Sequence, residues 1–284
     1  MSVSVKAYAK LNLTLAVTGL AGGFHMLDSL VCTVDTFDLI KLRKRADGEV
    51  TVKMHGMGCE LLPPESNNAY KAAKAYIQRF KTDGADIEIY KNIPVGAGMG
   101  GSSADAAGVL RGMSKLYGFG GDGQLKELAD SLGSDTGYML TGGYARLKGR
   151  GDIVEKLDFD ERLNILMLLP KNGVSTAECY RLCDEYPKMS LTSDMAINAL
   201  EDGDKPSLGK SLFNALYAPA IRLNGDIKLA YEELKSFSPS GVNMTGSGSG
   251  VFAVFESAEL CAWAKSRYRG KFECLQLKTV IPKN

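Results

Sequence analysis

Four glycines fall within six residues at Gly96, Gly98, Gly100 and Gly101, and two serines, Ser102 and Ser103, follow directly. Glycines this dense let the backbone take positive φ angles and let a ligand approach the main chain closely. Consecutive free N–H groups ahead of a helix make a ready anion site, reinforced by the helix dipole. Phosphate binding is the chemistry this arrangement suits. No Gly-Lys-Ser/Thr follows the glycines, so the loop is not a Walker A motif, and the spacing does not fit the dinucleotide fingerprint. Taken alone, the stretch also reads as a tight strand-to-helix turn with a good N-cap.

A second glycine-rich segment, residues 240–250, contains Thr245-Gly246-Ser247-Gly248. One such segment is a weak signal. Two of them, one in each half of the chain, describe a phosphate site lined from both sides of a cleft. Near the N-terminus, a period-two strand with Leu11, Leu13 and Leu15 on one face places Lys10, Asn12 and Thr14 on the other. Such a lysine is either solvated or at work. Gly133-Ser134-Asp135 is ordinary turn chemistry by residue type.

The elements that must hold these residues follow from periodicity. Residues 87–90 read as a strand running into the glycine loop, and Ala106, Val109, Leu110, Met113 and Leu116 give the helix leaving it. Residues 3–17 read as one long strand or a strand pair, and the glycine-rich connection 19–25 ends in Phe24-His25. Strands follow at 30–35, 38–42 and 49–54. After Pro63-Pro64, Ser66 offers a cap for a helix over 69–80. A short helix over 125–132 leads into the turn 133–137, and strands over 144–148 and 153–157 follow. The second half opens with an apolar strand over 163–169, stopped by Pro170. Helices over 176–185 and 192–201, the latter capped at Thr192, precede a polar break at 203–207. An amphipathic helix over about 222–236, a strand over 251–255, a helix over 258–268 and a strand over 272–280 complete the chain. Strands precede helices in each half without regular βαβ alternation, which argues for an α+β fold in two lobes, 1–158 and 159–284.

At 284 residues the chain can bury a sizeable core, and a formal net charge of +1 gives no general pull toward nucleic acid or membrane. No apolar run approaches the roughly 20 residues needed to span a bilayer, and the N-terminus lacks a signal-type apolar core. The six cysteines, at 32, 59, 179, 183, 261 and 274, are scattered. Cys179 and Cys183 lie one helical turn apart, but no second pair follows and His25 and His55 are distant in sequence. They read as structural thiols in a reducing cytosol, so the expected location is cytoplasmic.

The loop from Pro94 to Ala107, the run Ala9-Lys10-Leu11-Asn12-Leu13 and the late Met244-Thr245-Gly246-Ser247-Gly248 are similar to the three motifs of the GHMP small-molecule kinases. Three further matches place the resemblance nearest the branch whose acceptor is a cytidyl-diphosphate alcohol of the non-mevalonate isoprenoid route. They are Gly23-Phe24-His25, Ser66-Asn67-Asn68-Ala69-Tyr70 and Gly173-Val174-Ser175-Thr176-Ala177-Glu178. The resemblance covers nearly the full chain in the right order. It implies the two-lobed GHMP fold with the active site in the cleft, and transfer of the γ-phosphoryl group of ATP, with Mg²⁺, to a hydroxyl.

Residue roles come with the resemblance. Pro94, Gly96, Ala97, Gly98, Met99, Gly100, Gly101, Ser102 and Ser103 would cradle the phosphates, with the Ser102 or Ser103 hydroxyl adding a contact to phosphate or Mg²⁺. Gly246, Ser247 and Gly248 would close on them from the other lobe. Asn67 and Lys91 would lie near the adenine. Asp135 would take the proton of the acceptor hydroxyl, with Lys10 beside it stabilising the charge of the transition state. Asn12, Phe24, His25 and Tyr180 would bind the acceptor, two aromatic rings stacking on the base and the imidazole pairing with its polar edge. The expected partners are therefore small molecules, with the protein a monomer or homodimer. The chain departs from the family pattern at Ser102-Ser103-Ala104, where Gly-Ser-Ser is usual, and at Thr136-Gly137, where Val-Pro is usual. The connection before Phe24 is also short. Those departures keep a different small alcohol (homoserine-, mevalonate- or sugar-type), or a catalytically silent relative, as alternatives.

Overall fold

The structure is a computed structural model that describes residues 1–56, 64–187 and 190–282. Cys59 and Pro63 lie outside the described residues. The first half contains strands β1 (Ser2–Asn12), β2 (Thr14–Ala21), β3 (Phe24–Lys44), β4 (Val50–His55), β5 (Ala85–Tyr90), β6 (Tyr144–Gly149) and β7 (Ile153–Leu157). Its helices are α1 (Asn68–Phe80), α2 (Gly101–Tyr117), α3 (Asp122–Leu132) and α4 (Ser134–Thr141). The second half contains β8 (Asn164–Leu169), β9 (Phe213–Asn214), β10 (Gly241–Met244), β11 (Val251–Phe255) and β12 (Glu273–Lys278). Around them lie α5 (Thr176–Cys183), α6 (Asp194–Glu201), α7 (Lys205–Lys210), α8 (Tyr217–Leu223), α9 (Asp226–Lys235) and α10 (Ala258–Arg267).

One strand organises the larger sheet. With 21 residues, β3 is long enough to carry two partners on each edge. Along one edge it pairs antiparallel with β1 and then β2, and along the other with β5 and then β6. The partners change over at Leu13, which leaves the strand path while its N–H donates to the Leu30 carbonyl at 2.8 Å. The register of β1 on β3 shifts between Tyr8 and Lys10. An irregularity of this kind re-aims the side chains that follow it, and those are Lys10 and Asn12.

The smaller sheet runs β10-β11-β8-β12. Its central strand β8 is covered on both faces, which is why residues 165–169 are a continuous apolar run instead of an alternating one. Ile165, Met167 and Leu169 join the core of the large sheet, while Leu166 and Leu168 join a second core with Phe255, Ile227 and Leu234. Fully burying each such side chain contributes roughly 1.5–3 kcal/mol.

Helix α2 is pressed onto the large sheet by two small residues. A Cβ on Gly108 would stand 2.5 Å from Ile40 Cδ1, and one on Gly112 would stand 2.3 Å from Leu42 Cδ1. This close approach fixes where the helix N-terminus, and the glycine loop before it, can sit.

Several elements differ from the sequence expectation. The strands expected at 30–35 and 38–42 are parts of β3, which runs on through Thr36 and Phe37. Residues 134–141 form helix α4 where a turn was expected, and α7 (205–210) begins within the expected polar break and runs past it. The single helix expected over 222–236 is two, α8 and α9, divided at Asn224-Gly225. Asn67, not Ser66, caps α1, its Oδ1 accepting from the Ala69 N–H at 2.9 Å. Thr192 does not cap α6; its hydroxyl donates to Asp194 Oδ2 at 2.5 Å. Among the described residues no helix is long and apolar enough to cross a membrane.

Candidate active site

The glycine loop is held open by three left-handed residues, Gly96 (φ 72°), Gly98 (φ 72°) and Gly100 (φ 73°). Gly100 stands at the N-cap position of α2 and supplies no side chain to the helix N–H groups. The expected good cap is thus missing, and the first-turn amides remain available to an anion. Asn68 Nδ2 donates to Ser102 Oγ at 3.0 Å at the start of the same helix.

The second glycine-rich segment, the turn between β10 and β11, locks into the first. Ser249 N–H donates to the Gly96 carbonyl at 3.0 Å, and Thr245 Oγ1 donates to the Gly98 carbonyl at 3.2 Å. Gly246 takes φ 57° and Gly248 φ 90° to make this turn. Asn214 supports the turn from behind, its Nδ2 donating to the carbonyls of Met244 at 2.7 Å and Gly246 at 2.9 Å.

Lys10 and Asn12 point from β1 into this junction, both 4% exposed. Lys10 Nζ donates to Asn12 Oδ1 and lies 3.5 Å from Asp135 Oδ2 at the start of α4. Asn12 Oδ1 also accepts the Gly246 N–H at 3.1 Å, and Asn12 Nδ2 donates to Ser29 Oγ at 2.8 Å. The backbone N–H of Lys10 donates to the Met99 carbonyl at 3.0 Å. The ammonium and both glycine segments therefore share one hydrogen-bonded network, and the Asp135 carboxylate joins it as an ion pair.

Two cavities of about 210 Å³ each meet at Gly98 and Gly100, which line both. One is bounded by Asn67, Lys91 and the loop from Pro94 to Ser102. The other is bounded by Lys10, Asn12, Asp135, Tyr180, Gly246 and Ser247, among others. The glycine loop thus forms a wall between the two cavities. Ser103, Gly248, Phe24 and His25 line neither cavity.

Lys91 is engaged elsewhere than in free space. Its Nζ donates to Asp105 Oδ2 at 2.6 Å and to Asp38 Oδ2, and all three side chains are nearly inaccessible. Burial opposes the Lys91 charge, but Asp105 and Asp38 more than offset it and raise its pKa above the usual lysine value. Burial pushes the Asp105 carboxyl up to about 7, with Lys91 working against the shift and Asp38 adding to it. Asp38 Oδ1 meanwhile accepts the N–H groups of Asn92 at 2.6 Å and Ile93 at 2.8 Å. The triad staples the entry of the glycine loop to β3 and α2.

At the outer end of the acceptor side, His25 Nε2 lies 3.0 Å from Asp184 Oδ1, and its ring packs against Tyr180 with centroids 4.9 Å apart. Phe24, the adjacent residue on β3, is 55% exposed and carries the Arg150 guanidinium over its ring at 4.9 Å. Phe24 and Tyr180 each have a ring neighbour, but they are not neighbours of each other.

Sequence reasoning missed Ser29, Asp38, Asp105, Asn214 and Arg150. A lone polar residue between apolar ones, as at Asn214 between Phe213 and Ala215, was the available signal. Asp38 and Asp105 gave none, since carboxylates near a strand end and in a helix are ordinary.

Residues 67–145 match the family described as GHMP kinases N terminal domain, and residues 196–265 match GHMP kinases C terminal. The chain belongs to the GHMP kinase family. This kinase is 36% identical over 256 residues to the 4-diphosphocytidyl-2-C-methyl-D-erythritol kinase of Caldicellulosiruptor saccharolyticus, covering 88% of this chain and 87% of that one. The protein of the same name from Clostridium beijerinckii is 34% identical, over 95% of this chain and 98% of its own. Among solved structures, a 4-(cytidine 5'-diphospho)-2C-methyl-D-erythritol kinase superposes with a TM-score of 0.81 at 28% identity, covering 98% and 99% of the two chains. The expected α+β GHMP fold and small-molecule kinase class are those of this protein.

Proposed function

We propose that this GHMP kinase transfers the γ-phosphoryl group of MgATP to the 2-hydroxyl of 4-diphosphocytidyl-2-C-methyl-D-erythritol. The observation that carries the reading is the pair of cavities joined at Gly98 and Gly100, one lined by the glycine loop from Pro94 to Ser102 and the other holding Lys10 and Asp135. In-line transfer needs the donor phosphate and the acceptor oxygen on opposite sides of one point. The junction supplies that point.

On the nucleotide side, the loop from Pro94 to Ser103 cradles the phosphates through its N–H groups, with Gly246, Ser247 and Gly248 closing from the other glycine segment. Asn67 lies at the base end. Lys91, neutralised by its two carboxylates, sets the loop in place and leaves phosphate binding to main-chain dipoles. Among the described residues no group of three or more His, Cys, Asp and Glu could hold a metal. The loop amides suit the phosphates, and the Ser102 and Ser103 hydroxyl oxygens would be the side-chain ligands for a Mg²⁺ ion carried in on ATP, where it would neutralise phosphate charge.

On the acceptor side, Asp135 takes the proton from the substrate hydroxyl as its oxygen bonds to the γ-phosphorus and the bond to ADP breaks. Lys10, held by Asn12 and next to Asp135, stabilises charge on the transferring group. Tyr180, His25 and Phe24 bind the cytidyl end, with Asp184 orienting the imidazole.

The test is ADP release from the purified protein with MgATP and, in turn, the cytidyl methylerythritol compound, homoserine and mevalonate. Turnover on the cytidyl compound alone is expected. Turnover on another alcohol would keep the chemistry at Lys10 and Asp135 and overturn the acceptor.

A further inference from the structure

A third cavity, of about 440 Å³, shares no lining residue with the two at the active site. It lies between α2, α3, α4 and β7, and its size falls within the roughly 300–1,000 Å³ of small-molecule sites. Its floor is apolar, with Leu125 and Leu140 buried and Val154 partly so. Four cations surround that floor: Arg111, Lys115, Lys126 and Lys156.

The charge around it is not balanced from within. Lys126 is paired with Asp130 at 2.6 Å, whereas Arg111, Lys115 and Lys156 have no carboxylate partner among the described residues. Asp122 is the one acid in the lining. Arg111 is the telling residue. Its Nη1 and Nη2 donate only to carbonyls, of Leu140 at 3.3 Å and Lys6 at 2.9 Å, and its Nε is buried with no acceptor. Leaving a partly buried cation without a counter-charge is costly, and the Arg111 side chain lines the cavity, where a guanidinium suits a phosphate or carboxylate oxygen. None of these groups takes part in the chemistry at Lys10 and Asp135.

We propose that this cavity binds a small anionic amphiphile, an alkyl phosphate or diphosphate with a short hydrocarbon chain, and that occupancy acts on catalysis through α4. The chain lies on Leu125, Leu140 and Val154, and the phosphate meets Arg111, Lys115 and Lys156. Helix α4 is only eight residues long and is exposed to both sites. Its Gly137, Leu140 and Thr141 line the cavity, and its first turn carries Asp135. From the same helix, the Met139 methyl packs so close to Gly100 that a Cβ there would stand 2.3 Å away. A ligand that shifts Leu140 therefore bears on the carboxylate and on the glycine loop together, and the effect on nucleotide affinity is reciprocal.

Titration calorimetry on the full chain with n-hexyl phosphate, inorganic phosphate and 1-hexanol tests this, each with and without a saturating non-hydrolysable ATP analogue. Hexyl phosphate is expected to bind about tenfold or more tighter than either control, because only it uses both the apolar floor and the cations. Its binding should survive the ATP analogue, and it should lower turnover at saturating substrates. The exposed pair Lys115→Ala with Lys156→Ala should weaken hexyl phosphate about tenfold or more while leaving basal turnover unchanged. Displacement by the ATP analogue, or binding indifferent to the two substitutions, would overturn the site. Binding with turnover untouched would overturn the coupling through α4.

Discussion

The carbonyl oxygen of Thr245 lies 2.1 Å from the place where a Cβ on Gly98 would stand. The two glycine-rich segments thus meet main chain to main chain, and the left-handed backbone of Gly98 adds a second reason for glycine there. Gly98→Ala should force the segments apart. Because the contact lies between the two small cavities, the loss is expected first in the KM for ATP and in kcat, with the fold retained by circular dichroism. A variant with unchanged kinetics would show that the junction does not position the phosphates.

Asn12 is the node of the polar network, bonded to Lys10, Gly246, Thr245 and Ser29. Asn12→Ala removes its side-chain bonds and leaves a buried ammonium and a buried N–H without them. Losses of about 1–3 kcal/mol in stability are expected for groups left unsatisfied this way. Turnover should fall further than stability does, since Lys10 loses the group that aims it. Denaturant melts and steady-state kinetics on one preparation separate the two effects.

The Lys91, Asp38 and Asp105 triad makes a pH prediction. Lys91→Met leaves two carboxyls buried without their cation and should cost about 3–5 kcal/mol. Asp105 itself has its folded pKa raised to about 7 from an ordinary 3.8. Between those values the unfolded chain has lost the proton that the folded chain keeps, so stability falls as pH rises across the window and levels off above about 7. Asp105→Asn removes that titration. The stability difference between variant and wild type should move in the variant's favour from pH 4 to pH 7, read by chemical denaturation, and a difference flat in pH would contradict the assignment.

His25 bears on the acceptor alone. With Asp184 exposed and able to take water in its place, His25→Ala should fold normally. The KM for the cytidyl alcohol is expected to rise about tenfold, the worth of one well-placed hydrogen bond in a binding site, with the KM for ATP unchanged. A rise in both would place His25 in the general architecture of the cleft.

Much of the framework was legible because it rests on local signals. The alternation of Leu11 and Leu13 gave the face of Lys10 and Asn12, but the strand path breaks at Leu13, so Leu15 joins the second core and lines the cavity beside them. The glycines at 96, 98 and 100 announced their left-handed turns. The apolar run closing at Leu169 foretold a strand, though not that its two faces serve two cores. Helix α4 escaped because Ser134, Thr136 and Gly137 are weak helix formers, and only tertiary packing makes them helical, with Tyr138 OH donating to the Gly143 carbonyl at 2.7 Å. The cap at Asn67 and the split at Asn224 are choices between adjacent residues that propensity does not resolve. Pairings distant in sequence were hidden for another reason. Nothing local at Asp38 says that it will meet Lys91, because β3 and the loop after β5 come together only when the sheet forms.

The most direct test of the central assignment is the turnover number of Asp135→Asn on the cytidyl methylerythritol compound, measured beside its ATP affinity. Asparagine keeps the size of the side chain next to Lys10 but cannot take the hydroxyl proton. A fall in kcat of about 10²–10⁴-fold, the range for loss of a general base, with ATP bound as tightly as in wild type, is the result expected. Near-normal turnover would mean that Asp135 serves only the first turn of α4, and that the proton leaves by another path.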